Sequence, residues 1–146
     1  MTHERKRVWL RAGAGLVLAS GALVALGSHP ATALPAQLLA DLLFWPMDGL
    51  QSGAAGETRL LAAIGGGVLI GWGVLLWQLA GEMFDRAPEG VGRLIKTSVV
   101  TWFVVDSTGS LASGAWLNVV ANLAFLALFL VPLMTAQGQT RTVAGS

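Results

Sequence analysis

The chain has 146 residues, of which 54% are hydrophobic and 12% are charged, with a formal net charge of +1 and no cysteine. The charged share is about half of that usual in soluble domains, which places the chain in the membrane class. The small net charge provides no basic face for a nucleic-acid partner, and the lack of cysteine excludes disulfide frameworks, thiolate metal sites and cysteine nucleophiles. A single membrane domain over residues 1–146 is predicted.

The first apolar segment has two interpretations, which the sequence leaves open. Four basic residues within 5–11 precede an apolar run at 12–27. Together with the small residues at 31–33, this pattern is typical of a cleavable secretory signal. A retained membrane span over about 9–27 is favoured, because the stretch from Val8 is long enough to cross a bilayer.

A short apolar helix is predicted over about 35–45. Pro35 suits a first helical turn, and large apolar residues recur at helical spacing, with Gln37 and Asp41 as polar positions. At about a dozen residues this helix is too short to span a membrane, so we expect it to lie along the outer interface. Its apolar stripe consists of Leu34, Leu38, Leu39, Leu42, Leu43 and Trp45.

Three further spans are predicted, over about 59–81, 93–111 and 116–134. Each is an apolar segment close to the length that a bilayer crossing requires. The polar segment 135–146 follows and is predicted to be a mobile tail. The predicted fold is therefore an all-α integral membrane four-helix bundle, with a short interfacial helix between spans 1 and 2.

Two features of the spans predict how the helices pack. Gly67 and Gly71 form a Gly-x-x-x-Gly pair, which allows another helix to approach closely. Trp72 and Trp102 fall near mid-depth and are expected in the bundle interior. The remaining tryptophans are expected at the two membrane interfaces; they are Trp9, Trp45, Trp77 and Trp116.

The basic residues predict the orientation of the chain. With four spans and an inside start, eight of the nine lysines and arginines lie on the cytoplasmic side. The positive-inside bias therefore predicts a multi-pass membrane protein with both termini in the cytoplasm. Cleavage after Ala33 would leave three spans in the same orientation. Only Arg59 falls outside, and the eight inside are Arg5, Lys6, Arg7, Arg11, Arg86, Arg93, Lys96 and Arg141.

The most informative residue is Asp106, because an ionisable group inside a membrane span is costly unless something pairs with it. Arg59 lies at the outer start of the second span. Asn118 and Asn122 share one face of the fourth span at a similar depth. We expect these faces to turn inward and form a polar cluster that is also the candidate ligand-binding site. Its predicted members are Arg59, Asp106, Asn118, Asn122, Ser110 and Asp48.

Three interpretations of this cluster stay open. It is a structural ion pair between Arg59 and Asp106 with asparagines that hydrogen-bond between helices, or it lines an outward-facing pocket or a proton or solute route. In the third, Asp106 lies at the interface in water. No catalytic residue, metal site or cofactor is predicted. Both histidines, His3 and His29, lie outside the spans, which excludes bis-histidine haem ligation.

The segments TRLLAAIGGGVLIGWG, WFVVDSTGS and NVVANLAFL carry a resemblance to known proteins. Over roughly Trp45 to Leu133 the chain resembles the small four-helix inner-membrane proteins of bacteria, broadly DoxX-like. The resemblance rests on the span count, an arginine before a glycine-rich second span, and short loops. It implies an accessory subunit near respiratory or redox enzymes, and it carries over no catalytic residue.

Two functions follow as expectations, and a third stays open, an enzyme that uses a buried acid and an arginine for proton chemistry on a lipid-soluble substrate. The first is a non-enzymatic accessory or scaffold subunit, whose partners are the lipid bilayer and a partner helix or a second copy of the chain. The alternative is a binder or carrier of a small hydrophobic molecule, such as a lipid or quinone, in an outward-facing pocket rimmed by Arg59, Asp106 and Asn118. The direction of Gly67 and Gly71 discriminates between them, because glycines that face outward predict a partner helix.

Overall fold

The computed structural model describes residues 1–135, which form helices and no strand. The predicted all-α class is therefore confirmed. A π-helical turn at Leu79–Met83 and a short turn at Phe84–Arg86 extend the third helix. Arg141 and all of the predicted tail except Thr135 lie outside the described residues. The five helices are α1 at His3–Leu26, α2 at Leu34–Phe44, α3 at Gly56–Gln78, α4 at Pro88–Ser113 and α5 at Trp116–Met134.

Three helical stretches within residues 1–135 are long and apolar enough to cross a membrane: His3–Leu26, Gly56–Arg86 and Trp116–Met134. Many of their large apolar side chains are exposed, which is typical of a surface that contacts lipid or other membrane segments. Helix α4 is long enough at 26 residues. However, Asp106 and the many hydroxyl side chains of α4 make this helix more polar than the three stretches named above.

Helices α1 and α3 run antiparallel and pack closely through small residues. A Cβ atom built on Gly66 would lie 2.6 Å from the backbone nitrogen of Ala25, and one on Gly21 would lie 2.8 Å from the backbone nitrogen of Ile70. Nearer the other end, a Cβ on Gly73 would lie 2.7 Å from Leu18. Since no larger residue fits at these positions, the glycines set the short distance between the two helices.

Helices α4 and α5 form a hairpin that closes the bundle against α1 and α3. The buried ring of Phe129 covers Gly13 of α1, and Trp72 Nε1 donates a hydrogen bond to Ser98 Oγ at 2.9 Å, which joins α3 to α4. The four long helices therefore surround a common interior. Its main buried apolar residues are Leu10, Ala14, Val17, Leu76, Leu79, Ala80, Phe84, Val91, Ile95, Val99 and Phe129.

Polar contacts join the helix ends at the amino-terminal end of the bundle. Lys6 is buried, and its Nζ donates to the carbonyl of Thr135 at 2.6 Å, which ties the start of α1 to the end of α5. His3 and Arg7 contact the carboxylate of Asp85 at 2.8 and 2.7 Å. Most of the described basic residues therefore lie at this end, and Arg59 lies at the opposite end.

The other end of the bundle is covered by α2 and the loop that follows it. Asp41, predicted to lie on a polar face, is instead buried, and its Oδ1 accepts a hydrogen bond from the Gly49 amide at 2.9 Å. Gln37 Nε2 donates to the carbonyl of Ser52 in the same loop. These bonds hold α2 and the loop together as one cover. The exposed side of α2 presents Leu34, Leu38, Leu42 and Trp45.

Candidate functional site

The candidate site is built beside the turn that joins α4 to α5. Only Gly114 and Ala115 separate the two helices, and Gly114 has a φ of 87°, a left-handed conformation that glycine adopts without strain. The Gly114 amide donates to the carbonyl of Leu111 at 3.2 Å, and the Ala115 amide donates to that of Ser110 at 2.8 Å. So tight a turn fixes the register of α4 against α5.

Five polar side chains of this hairpin form a hydrogen-bonded group, which we call the Asp106 cluster. Asn122 Nδ2 donates to Asp106 Oδ2 at 3.2 Å. Asn118 Nδ2 and Ser110 Oγ each donate to Asp106 Oδ1 at 3.4 Å. Asn118 also donates to Ser110 Oγ at 2.8 Å, and Asn122 donates to Ser107 Oγ at 3.2 Å. Both oxygens of the half-buried Asp106 therefore act as acceptors.

Ser107 is the member of the cluster that the sequence analysis missed. In an antiparallel hairpin, the residue numbers of facing positions add to a nearly constant value. If Ser110 faces Asn118, then Asn122 faces Asp106 and Ser107, so the short turn would have revealed the contact. Ser107 is 7% exposed and Asn122 is 3% exposed. Buried polar groups need hydrogen-bond partners, and these two side chains bond to each other.

The structure does not bring Arg59 or Asp48 to this cluster, so the expected Arg59–Asp106 ion pair is not formed. Arg59 Nη1 donates instead to the carbonyl of Ala54 at 2.9 Å, at the exposed start of α3. Asp48 Oδ1 accepts from the Leu50 amide at 3.1 Å within its own loop. The expectation failed because local backbone groups satisfy both side chains.

A cavity of about 370 Å³ lies beside the Asp106 cluster in the bundle interior. All five helices contribute to its wall, and Leu39 and Leu43 of α2 cover one end. The wall is mostly apolar, and Asp106 is the only charged group among the described residues that line it. The lining residues are Val17, Ser20, Val24, Leu39, Leu43, Leu69, Trp72, Trp102, Asp106, Asn118, Ala121, Asn122, Phe125 and Phe129.

Aromatic rings form one side of this central cavity. The rings of Trp72 and Trp102 lie 5.7 Å apart at an angle of 43°, and Phe125 meets Trp102 edge to face at 6.2 Å. The interior position predicted for both tryptophans is confirmed. The other four tryptophans are exposed. The hydrogen bond from Trp72 to Ser98 satisfies the indole N–H, which leaves the ring free to present an apolar surface.

A second cavity of about 500 Å³ lies between α2, the loop 50–55 and the start of α3. It shares Val24, Leu39 and Leu43 with the central cavity, so these three side chains separate the two spaces. Its lining is mostly apolar, and the polar residues in it are Gln37, Gln51, Ser52 and Thr58. The side-chain oxygen of Gln51 is buried without a hydrogen-bond partner among the described residues.

The glycines predicted to pack helices fall on a different face of α3 from the glycines that contact α1. A Cβ atom built on Gly67 or Gly71 would have nothing within 4 Å, and both residues are exposed. Ala63, one turn earlier, is exposed as well. The pair therefore faces outward, the direction that the sequence analysis associates with a partner helix.

The sequence matches no family model, and no curated protein or solved structure is significantly similar to it. The DoxX-like resemblance therefore stays an expectation. Within residues 1–135, no three His, Cys, Asp or Glu side chains lie close enough together to hold a metal ion. The function has to be argued from the central cavity and its polar wall.

Proposed function

We propose that this protein binds a small hydrophobic molecule in the central cavity of a four-span bundle in a bacterial inner membrane. The observation that carries the proposal is the cavity of about 370 Å³ with a mostly apolar wall and a few convergent polar groups. Ligand sites in proteins have this composition and volumes of about 300–1,000 Å³. Lipids and quinones, which combine an apolar body with a polar head, are the expected ligand class.

The four-span topology is part of this proposal and is supported by the position of α4. This helix begins at Pro88, with only Ala87 between it and the end of the α3 extension at Arg86, and it returns through a two-residue turn into α5. Helix α4 therefore runs between the same two ends of the bundle as α3 and α5, which are both apolar enough to cross a membrane. Its buried polar residues Ser107 and Ser110 face inward. Glu89, Arg93 and Lys96 are exposed near its start, and beyond Lys96 its large exposed side chains are apolar: Val100, Val104, Val105 and Leu111.

A cavity-filling substitution tests the binding proposal. Ala121 lines the cavity, so Ala121→Leu should remove space that the ligand needs. Ala127 lies on the exposed side of the same helix, so Ala127→Leu is the matched control. The probe is para-bromophenylbutanol, an uncharged amphiphile whose bromine quenches nearby tryptophan fluorescence, titrated into full-length protein in dodecyl maltoside.

We expect saturable quenching with the unmodified chain and with Ala127→Leu, because Trp72 and Trp102 lie in the cavity wall. With Ala121→Leu, we expect binding to be about tenfold weaker or lost. Equal quenching in all three proteins would show that the probe reaches only the exposed tryptophans. That result would contradict the proposed function.

The outward position of Gly67 and Gly71 favours a second candidate function, an accessory subunit that packs against a partner helix. Small residues at these positions allow close helix approach in lipid. Gly67→Leu should abolish any complex that depends on this face. Val68→Leu is the matched control, because Val68 is 66% exposed and already large. Native mass spectrometry of protein extracted from its own membrane should show the complex only in the control, and a monomer in both would contradict this candidate.

A further inference from the structure

The carboxylate of Asp106 has no cationic partner in the part of the chain that the structure describes. Every hydrogen bond to it comes from a neutral group, namely two asparagine amides and one serine hydroxyl. The described ion pairs join His3, Arg7 and Arg86 to other carboxylates. Arg59, the cation expected here, binds a backbone carbonyl instead. The negative charge at the cavity wall is therefore not neutralised by these residues.

The geometry of these hydrogen bonds leaves the charge poorly compensated. Two of the three have donor–acceptor distances of 3.4 Å, near the limit for a hydrogen bond. A carboxylate that faces an apolar space loses solvation, and weak neutral donors replace only part of it. Both oxygens already accept hydrogen bonds from neutral donors, and none of the described residues adds a positive charge beside them. A cationic ligand would supply it.

We propose that the central cavity selects a monovalent organic cation, such as the protonated amine of a lipophilic molecule, whose charge pairs with Asp106. This inference rests on the proposed binding function and adds the charge of the ligand. The aromatic wall supports it, because the faces of Trp72, Trp102 and Phe125 attract cations as well as apolar groups. The apolar remainder of the cavity takes the body of the ligand.

The same wall disfavours a small inorganic cation. Divalent ions such as Ca²⁺ need six or more oxygen ligands, usually including several carboxylates. The cavity offers one carboxylate with amides and hydroxyls beside it, and most of its surface is apolar. An organic cation has a weaker hydration shell to lose and gains from the apolar surface. The cavity therefore fits an amine better than a metal ion.

Matched probes and matched variants test this inference. The probes are para-bromophenylbutylamine, which is protonated at neutral pH, and para-bromophenylbutanol, which has the same body without the charge. The variants are Asp106→Asn and Asp48→Asn. Asp48 lies in an exposed loop away from the cavity, so the second variant makes the same charge change elsewhere. Quenching titrations use full-length protein in dodecyl maltoside, and a thermal melt of each variant verifies that it is folded.

We expect the amine to bind the unmodified chain and Asp48→Asn with equal affinity. Its affinity for Asp106→Asn should be at least about tenfold lower. The alcohol should bind all three proteins alike. If the amine and the alcohol bind Asp106→Asn as well as the unmodified chain, the cavity binds hydrophobic molecules without selecting charge, and only this inference is overturned. If neither probe binds saturably to the unmodified chain, the proposed function itself fails.

If the thermal melt shows that Asp106→Asn does not fold, Asp106→Glu replaces it. This variant keeps the charge but moves it further from the backbone. We then expect the preference for the amine over the alcohol to persist, with a changed affinity for the amine alone. Loss of that preference in a folded Asp106→Glu protein would overturn the inference.

Discussion

Asp106 shows how a single polar residue can be accommodated in an apolar bundle. Its neighbours are short amides and hydroxyls on the same hairpin, which need no long side chain to reach it. Asn118 and Asn122 lie four residues apart, so one face of α5 supplies both donors. The cluster therefore depends on the α4–α5 turn and not on contacts with α1 or α3.

The hydrogen bond between Trp72 and Ser98 is one residue-scale contact between α3 and α4, and it can be tested by a double-mutant cycle. We expect Trp72→Phe and Ser98→Ala to show a coupling free energy of about 0.6 kcal/mol, the average for interhelical hydrogen bonds in membrane proteins. Unfolding of the protein by dodecyl sulfate in mixed micelles gives the free energies. Trp116→Phe with Ser98→Ala is the control cycle, because Trp116 is exposed, and equal coupling in both cycles would contradict the prediction.

At the scale of elements, the glycines of α3 divide between two faces with different roles. Gly66 and Gly73 contact α1 so closely that a Cβ atom would meet backbone atoms. A Cβ atom added to Gly67 or Gly71 would meet no other described side chain or helix within 4 Å. The sequence run Gly65-Gly66-Gly67 thus contains both kinds of glycine side by side. The helical rotation of 100° per residue separates their environments.

Neighbouring alanine substitutions test this division. Gly66→Ala should destabilise the fold by about 1–3 kcal/mol, because the added methyl group collides with the backbone of Ala25 and forces α1 away from α3. Gly67→Ala should leave stability unchanged or raise it by up to about 1 kcal/mol, through helix propensity alone. The measurement is again unfolding in mixed micelles. Equal losses at both positions would mean that the α1–α3 contact is not as described.

Helix α2 is the element whose role depends most on its packing. The sequence predicts an interfacial helix with a broad apolar stripe. In the structure this stripe is divided, with Leu34, Leu38 and Leu42 exposed. Leu39 and Leu43 line both cavities. The helix therefore presents one apolar side outward while its other side covers the candidate site.

At the scale of the whole molecule, the proposed four-span topology predicts which segments lie on the same side of the membrane. Because the chain has no cysteine, single cysteines can be introduced at Ser52, Ser113 and Glu89, all of which are exposed. With four crossings, Ser52→Cys and Ser113→Cys should react with an impermeant maleimide added outside intact cells. Glu89→Cys should react only after lysis.

The labelling result separates the alternatives. If α4 does not cross, residues 89 and 113 lie on the same side and should react alike. If the orientation is reversed, Glu89→Cys alone should react from outside. The reactivity of each variant in lysed cells is the control, because it shows that the introduced thiol is accessible once the membrane is open.

The sequence alone predicts the helical class, the positions of the five helices and every member of the Asp106 cluster on α4 and α5 except Ser107. Helical periodicity and hydropathy are properties of a contiguous segment, so they can be read without knowledge of the fold. The approach of Ser110 to Asn118 follows equally from the short turn at Gly114. These features involve residues that are close along the chain.

Only the tertiary structure decides that Arg59 stays at the start of α3, that Gly66 packs while Gly67 does not, and that α2 covers a cavity. The last two depend on the rotation and spacing of helices that are distant in the sequence, whereas Arg59 binds the carbonyl of Ala54, which is close along the chain. A long arginine side chain has several acceptors within reach. The hydrogen bond to Ala54 forms without the entropic cost of bringing distant segments together. Arg59 therefore binds the backbone and not Asp106, which leaves the Asp106 carboxylate at the cavity wall without the cationic partner that the sequence predicted.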